Sequence, residues 1–222
     1  MPQGIRPTQG ILRKAIFDIL GQDMRGVIFL DLFAGSGAVG LEAFSRGATA
    51  VTFVEKDPRV AEILEENYRI LSLSEVARQA HHTSNHTEQS LSVKGSPERH
   101  QEAMFLSRAK GQLSEGVGEI IPVDAFAAIK LLARKGKKFH IIFIDPPYGR
   151  GLAKKALKTL GGYDILQPNC MVAIEHEPRE ILPEKSGRFL LFRHKKYGST
   201  CLSIYQASQK NDEPIGDLPR QF

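Results

Sequence analysis

Short apolar runs alternate with amphipathic segments along most of this chain, and this alternation restricts the fold more than any other feature of the sequence. The runs are rich in Val, Ile and Phe, whereas the segments between them place apolar side chains three and four residues apart. The predicted strands are 27–32, 50–54, 119–123, 140–144 and 171–175, and the predicted helices are 8–20, 37–46, 58–71, 125–134 and 152–160. Strands that each lead into a helix are typical of a parallel sheet with helices on both faces.

Two further strands are predicted near the end of the chain, at 188–194 and 200–206, with a hairpin turn in KKYGS between them. The sequence therefore predicts an α/β fold: a doubly wound, Rossmann-like, seven-stranded and mostly parallel sheet with an antiparallel C-terminal hairpin at its edge. We expect residues 1–222 to form a single domain. Residues 74–117 break the alternation, and their Ser, His, Gln and Glu content predicts a flexible insertion.

Positive charge is concentrated in the second half of the chain. Residues 1–67 carry seven Lys and Arg against nine Asp and Glu, whereas residues 134–200 carry fourteen against six. Three basic clusters account for the excess: Arg134, Lys135, Lys137 and Lys138; Arg150, Lys154, Lys155 and Lys158; and Arg193, Lys195 and Lys196. Such clusters favour a polyanionic partner such as nucleic acid, although Lys-rich helix faces are also common where they are only solvated.

Several classes of protein are disfavoured by the composition. No apolar run approaches the roughly 20 residues of a membrane helix, and MPQGIRPTQG lacks the apolar core of a signal peptide. Cys170 and Cys201 form neither a disulfide framework nor a CxxC pair, so we expect buried free thiols in the cytoplasm. The histidines of the 74–117 segment have no cysteine or carboxylate at a ligand spacing, and we expect no metal site.

The first predicted strand runs into a glycine turn, LDLFAGSGAVG, in which Gly35, Gly37 and Gly40 form GxGxxG before a helix. Glycines there permit a tight turn and a close approach of a ligand to the backbone near the helix N-terminus. Glu55 ends the next strand, where an acid could accept hydrogen bonds from both hydroxyls of an adenosine ribose. This pattern alone fits nicotinamide and flavin proteins equally well.

Two more acids at strand ends narrow the choice of ligand. Asp31 precedes the glycine turn, where it is poorly placed for a pyrophosphate but well placed for the ammonium of an amino-acid group. Asp124 follows the third strand, where it could accept from the exocyclic amine of adenine, cap the helix that begins at 125, or do both. A ligand with ammonium, ribose and adenine groups and no phosphate fits these acids, and S-adenosylmethionine is such a ligand.

The fourth predicted strand ends in the motif IDPPYGR. Prolines cannot continue a central strand because they lack the N–H group that the ladder requires. Asp145 could simply cap the turn that follows. The alternative is that Asp145 belongs to the same site as the acids at the ends of the other strands, Asp31, Glu55 and Asp124.

Taken in order, DLFAGSGAVGLEA, FVEKD and DPPYG resemble class I S-adenosylmethionine-dependent methyltransferases that modify exocyclic amino nitrogens. RPTQGILRKAIFDIL before the glycine turn and KKYGSTCLSIY near the end resemble the RsmD family more narrowly. That family methylates N2 of a guanine in 16S ribosomal RNA. The resemblance covers the chain except for 74–117, and it implies the class I methyltransferase fold with S-adenosylmethionine as cofactor.

The resemblance also implies roles for individual residues. The cofactor would be held by Asp31, Ala34, Gly35, Gly37, Glu55 and Asp124. The catalytic motif would be Asp145, Pro146, Pro147 and Tyr148. The residues expected to contact RNA are Arg6, Arg150, Lys154, Lys155, Lys195 and Lys196. The expected partner is 16S rRNA, alone or within the small ribosomal subunit or an assembly intermediate, and the protein is expected to act as a monomer.

Two features depart from the pattern of the family. Its members usually carry a basic β-hairpin before the RPT segment, so either the start of this sequence is truncated or RNA docking relies on the remaining basic surface. The 74–117 segment is the second departure. The alternatives are a DNA adenine-N6 methyltransferase, since DPPY serves that chemistry too, and a non-catalytic RNA-binding or assembly factor on the same fold. A small-molecule methyltransferase would leave the basic half unexplained.

Overall fold

A computed structural model describes the backbone of residues 7–84 and 118–208 and the side chains of residues 10–74 and 118–208. The helices are α1 (Pro7–Leu20), α2 (Ala38–Ser45), α3 (Pro58–Ser84), α4 (Ala125–Arg134) and α5 (Leu152–Gly161). The strands are β1 (Ile28–Asp31), β2 (Ala50–Val54), β3 (Gly118–Ile121), β4 (Phe139–Ile144), β5 (Leu166–His176), β6 (Lys185–Ser186), β7 (Phe189–Tyr197) and β8 (Thr200–Ala207).

The eight strands of the described residues form one sheet in the order β3-β2-β1-β4-β5-β8-β7-β6. Strands β1 to β5 are parallel, as predicted, and β8 is antiparallel to both of its neighbours, β5 and β7. The predicted hairpin exists, but its second strand is inserted next to β5, so β7 runs in the direction of the parallel strands. The antiparallel strand β8 is therefore internal, and the predicted antiparallel C-terminal hairpin at this side of the sheet is confirmed.

Helices cover both faces of the sheet and bury two apolar cores. On one face α4 and α5 pack against the strands, with Ile129 and Leu157 fully buried. On the other face α1, α2 and α3 contribute Phe17, Ala43 and Leu64, which are also fully buried. Burying one large aliphatic or aromatic side chain stabilises a fold by about 1.5–3 kcal/mol. The near-continuous apolar strands of the sequence reflect this burial on two sides.

Two differences from the predicted strands have local causes. Strand β5 begins at Leu166 rather than at 171, because the ladder with β4 pairs at Leu166, is interrupted, and resumes at Met171. The interruption coincides with Pro168, which lacks an N–H group for the ladder, and with Asn169, which has a φ of 58°. Strand β6 has only two residues and raises the count from the predicted seven strands to eight.

Helix α3 continues to Ser84, beyond the predicted end at 71. The first part of the 74–117 segment therefore has a helical backbone, while residues 85–117 lie outside the described residues, as does Arg6. The flexible insertion stays a prediction, and so does the absence of a metal site among its histidines. Both cysteines are buried free thiols. None of the described helices has the length and apolar character that crossing a bilayer requires.

Candidate active site

A cavity of about 820 Å³ opens at the carboxyl ends of the parallel strands. Its walls come from the segments that follow β1, β2, β3 and β4, from the end of β5, from the start of β8 and from one side of α1. Eleven of the residues singled out in the sequence line it: Asp31, Ala34, Gly35, Glu55, Asp124, Asp145, Pro146, Pro147, Tyr148, Arg150 and Lys155. Segments far apart in the chain are thus brought into one site, because parallel strands end at the same edge of a sheet.

Not every predicted residue lies at the cavity. Gly37 belongs to the glycine turn but does not line the cavity, and the same is true of the side chains of Lys154, Lys195 and Lys196. The basic cluster at 134–138 precedes β4 and therefore lies at the opposite edge of the sheet. There Lys135 pairs with Glu119 at 3.2 Å and Lys138 with Asp164 at 2.7 Å. This cluster therefore does not flank the cavity.

The glycine turn allows α2 to begin directly against the sheet. Gly37 has a φ of 85°, and a Cβ atom on it would lie 2.2 Å from Cδ1 of Leu64. A Cβ atom on Gly40 would lie 2.3 Å from Cε1 of Phe53. Neither position can accept a larger residue without moving a buried side chain. The N-terminus of α2 has no side-chain cap at Gly37. The N–H group of Gly40 is taken by Asp31, which leaves the N–H groups of Ala38 and Val39 beside the cavity.

Asp31 is buried at the end of β1 and is only partly satisfied. Its Oδ2 atom accepts a hydrogen bond of 2.9 Å from the N–H group of Gly40, while its Oδ1 atom has no partner in the described part of the chain. Burial, and secondarily the negative charge of Glu55, raise the pKa of Asp31 to about 7. A buried acceptor without a donor is costly, and its position on the cavity wall suits a cationic ligand group.

The other two strand-end acids are fixed by backbone donors. Glu55 accepts hydrogen bonds from the N–H groups of Gly35 at 3.0 Å and of Asp57 at 2.8 Å, one on each carboxylate oxygen. Asp124 caps α4 by accepting from the N–H groups of Phe126 at 2.9 Å and of Ala127 at 3.4 Å, both through Oδ1. The capping role predicted for Asp124 is present. Each carboxylate retains lone pairs for a ligand.

Aromatic side chains form part of the wall near Asp124. The rings of Phe33 and Phe126 meet edge to face, with centroids 6.4 Å apart. The ammonium of Lys155 lies 4.2 Å from the centroid of the Phe126 ring, a cation–π contact. This apolar surface can pack against a planar ligand group, and Lys155 is held against it.

The catalytic motif follows β4 and has an unusual carboxyl group. Burial raises the pKa of Asp145 to about 8, and the negative charges of Glu175 and then Asp31 add to the effect. Asp145 is therefore mostly protonated at neutral pH when no cation is near. A cationic ligand in the same cavity would favour its ionised form. Pro146 is buried and Pro147 is exposed, and both line the cavity.

Tyr148 is anchored from two other strands. Its hydroxyl group donates to Oε1 of Glu175 at 2.9 Å and forms a second hydrogen bond of 2.8 Å with Oγ1 of Thr200. Burial and the neighbouring acids raise the pKa of Tyr148, so the hydroxyl remains protonated. Since the side chain still has 40% of its surface exposed, the ring is held at one end and open to a ligand elsewhere.

Carboxylates from the segment after β5 hold the loop that carries this motif. The N–H group of Gly149 donates to Glu177 at 2.8 Å, and the N–H group of Lys154, in the first turn of α5, donates to Glu180 at 2.9 Å. The second contact also places a negative charge at a helix N-terminus, which is stabilising. The loop from Tyr148 to α5 is therefore fixed before any substrate arrives.

Sequence reasoning missed Glu175, Thr200 and the two phenylalanines. A signal for Glu175 was present, because it ends the predicted strand 171–175 as the other acids end theirs. Thr200 belongs to the YGST stretch, which indicated the resemblance to the RsmD family but was not assigned to the site. Phe33 and Phe126 carry no pattern of their own, and only the folded chain brings them together.

Comparison with known proteins gives consistent matches. The family model described as conserved hypothetical protein 95 matches residues 1–107 and 110–206. Ribosomal RNA small subunit methyltransferase D of Escherichia coli K12 is 26% identical over 94% of this chain and 83% of its own length. The protein of the same name from Haemophilus influenzae is 28% identical over 92% of this chain and 84% of its own.

One solved structure extends the comparison to the fold. An RNA methyltransferase from Salinibacter ruber in complex with S-adenosyl-L-homocysteine has a TM-score of 0.56 and an identity of 11%. The match covers 97% of this chain and 99% of that one. At this identity the likeness concerns the fold alone, and it confirms the predicted class I methyltransferase architecture.

Proposed function

Since the chain belongs to the family described as conserved hypothetical protein 95, the RsmD family, we propose that it transfers a methyl group from S-adenosylmethionine to the N2 amine of a guanine in 16S ribosomal RNA. The observation that carries the proposal is the shared cavity of Asp145 and Tyr148 with the strand-end acids Asp31, Glu55 and Asp124. The names of the two curated relatives supply the rRNA substrate.

The residues of the cavity fit the cofactor group by group. The unpartnered Oδ1 atom of Asp31 suits the ammonium, and the uncapped N-terminus of α2 suits the carboxylate. Glu55 suits the ribose hydroxyls, and Asp124 with the Phe126 ring suits adenine. Bound there, the cofactor supplies a methyl group on an electrophilic sulfonium, and the remaining task of the protein is to position the acceptor.

Asp145 and the Pro146 carbonyl are the proposed acceptors for the hydrogens of the guanine amine. The lone pair of that amine is delocalised into the ring, so two hydrogen bonds that orient it would favour attack and stabilise the positive charge that develops on nitrogen. The prolines fix the backbone of the turn in advance. A cation in the cavity favours the ionised form of Asp145, which can accept these hydrogen bonds, and the proton leaves the amine after transfer, to water.

Tyr148 is the proposed platform for the target base. Its ring is exposed on the cavity wall, and its hydroxyl is fixed by Glu175 and Thr200, so the ring is oriented before the base arrives. Stacking of a base on an aromatic side chain contributes about 1–3 kcal/mol. The base must leave its own stack to reach this position.

Basic side chains near the cavity are the proposed contacts for the RNA backbone. Arg150 and Lys155 border the cavity, and Lys154 lies beside them, where each can contact the phosphates of the substrate. We propose a monomer that acts in the cytoplasm on 16S rRNA, alone or within the small subunit or an assembly intermediate.

Methyl transfer to defined polymers tests this function. The full chain is incubated with S-adenosylmethionine labelled in its methyl group and with 16S rRNA, small ribosomal subunits or double-stranded DNA. We expect label in the RNA or the subunits and none in DNA. Label in DNA alone would favour the adenine-N6 alternative, and cofactor binding without transfer to any polymer would favour a binding protein.

A further inference from the structure

Strand β7 contains a bulge at Phe192. The ladder pairs Leu191 with Tyr205 and Arg193 with Ile204, which are adjacent in β8, so Phe192 is left without a partner. A bulge of this kind redirects a side chain out of the regular alternation of a strand. The Phe192 side chain accordingly keeps 56% of its surface exposed. Its ring lies beside the guanidinium of Arg193, whose Cζ atom is 5.8 Å from the ring centroid.

The strand that carries this ring also carries three exposed cations. Arg193, Lys195 and Lys196 are all exposed on β7 and form no ion pair within the described part of the chain. This differs from the 134–138 cluster, where Lys135 and Lys138 are paired with carboxylates. The positive charge of β7 is therefore available to a partner.

The outer edge of β7 is also mostly open. Strand β6 pairs with Phe189 and Leu190, and the N–H group of Leu191 donates to the carbonyl of Glu184 at 2.8 Å. In the described residues the edge from Phe192 onwards has no neighbouring strand. Charged residues on an edge strand often serve only to prevent aggregation. An exposed phenylalanine at a bulge does not serve that purpose, because it adds apolar surface to the edge. Phe192 therefore indicates a binding role.

The strand leads directly into the catalytic cavity. Tyr197 pairs with Thr200 across the turn, and Ser199 and Thr200 line the cavity. Since a strand rises about 3.3 Å per residue, Phe192 lies roughly 15 Å along β7 from that turn. Lys195 and Lys196 lie between the two positions. A single strand of nucleic acid with one base in the cavity could follow this line.

We propose that Phe192 and Arg193 form a second base-stacking subsite, which takes an unpaired nucleobase of the RNA that flanks the target nucleotide. Lys195, which lies on the same face of β7 as Arg193, contacts the phosphates between this subsite and the cavity. An exposed aromatic ring with unpaired cations nearby is a combination by which proteins hold single-stranded nucleic acid. The inference rests on the proposed function and adds a place where the substrate is held outside the catalytic pocket.

The test measures binding of 16S rRNA and of a mixed-sequence single-stranded RNA to the full chain by fluorescence anisotropy. Phe192→Ala is expected to weaken binding of both RNAs roughly tenfold, the loss of one stacked base. Phe192→Trp is expected to bind as the unchanged protein does. Phe192→Leu, which keeps apolar surface but no ring, is expected to resemble Phe192→Ala. Lys138→Ala, a paired lysine at the other edge, is the control and should change nothing.

Each outcome either supports or overturns the stacking subsite. Binding by Phe192→Ala within twofold of the unchanged protein, or full affinity in Phe192→Leu, would overturn the stacking subsite. Normal methyl transfer by the unchanged protein would in that case leave the proposed function standing. An effect of Phe192→Ala on binding to assembled small subunits but not to free RNA would mean that the patch contacts a ribosomal protein instead. If the unchanged protein neither bound nor methylated RNA, the proposed function itself would fail.

Discussion

The hydroxyl group of Tyr148 lies 2.9 Å from Oε1 of Glu175, although the two residues are 27 positions apart in the chain. The contact joins the motif after β4 to the carboxyl end of β5. Glu175 also raises the pKa of Asp145 through its negative charge. One carboxylate therefore orients the aromatic ring of the motif and influences the ionisation of its acid.

Replacement of Glu175 should shift the pH dependence of the reaction. In Glu175→Gln a negative charge beside Asp145 is lost, so the pKa of Asp145 falls and its carboxylate forms at lower pH. We expect the acidic limb of kcat/KM against pH to move towards lower pH, while the glutamine oxygen can still accept from Tyr148. Methyl-transfer rates across the pH range measure this. An unchanged acidic limb would show that Glu175 has only a structural role.

The ring and the hydroxyl of Tyr148 should be separable by mutation. Tyr148→Ala removes the stacking surface, and we expect the KM for RNA to rise roughly tenfold. Tyr148→Phe keeps the ring but loses both anchoring hydrogen bonds, and a smaller rise is expected. Steady-state kinetics with RNA as the varied substrate measure both, with the affinity for cofactor as control. Equal kinetics for the two variants would contradict a stacking role for the ring.

Asp31 should govern cofactor affinity. In Asp31→Asn the side chain can still accept from the Gly40 N–H group, but the negative charge opposite the ammonium is lost. A hydrogen bond to a charged group contributes about 1.5–3 kcal/mol, so we expect affinity to fall by roughly 10- to 100-fold. Calorimetry with S-adenosylmethionine measures it. An affinity within twofold of the unchanged protein would remove Asp31 from the cofactor site.

In the ligand-free protein the contribution of Asp31 and Asp145 to stability should fall as pH rises. The pKa values of Asp31 and Asp145 in the folded chain are about 7 and about 8, above the ordinary value of 3.8. Between these limits the folded state binds more protons than the unfolded state, so their contribution to stability is complete below about pH 4 and is lost as pH rises through 7 and 8.

Replacing Asp145 tests this directly. The Asp145→Asn variant cannot ionise there, so its free energy of unfolding should decline less than that of the unchanged protein between about pH 5 and pH 8.5. Urea unfolding at several pH values gives the comparison. If the free energy of unfolding changed with pH in the same way in both proteins, the ionised form of Asp145 would carry no burial penalty.

The sequence predicted the parts of the site that depend on strand direction. Asp31, Glu55, Asp124 and Asp145 each end a recognisable apolar run, and parallel strands bring such ends together. The same rule, applied to the basic run before β4, would have placed that run at the opposite edge. The insertion of β8 beside β5 and the bulge at Phe192 depend on pairing between distant segments, which no local pattern encodes.

Identification of the methylated nucleoside shows which atom of the RNA receives the methyl group and whether Asp145 is needed. Digestion of 16S rRNA after reaction, followed by mass spectrometry, should show N2-methylguanosine with the unchanged protein and with the control Asp164→Ala. With Asp145→Ala the product should be absent, while cofactor affinity stays within a few-fold. Near-normal formation of the nucleoside by Asp145→Ala would contradict the proposed role of Asp145, and a methyl group on any other position would contradict transfer to guanine N2.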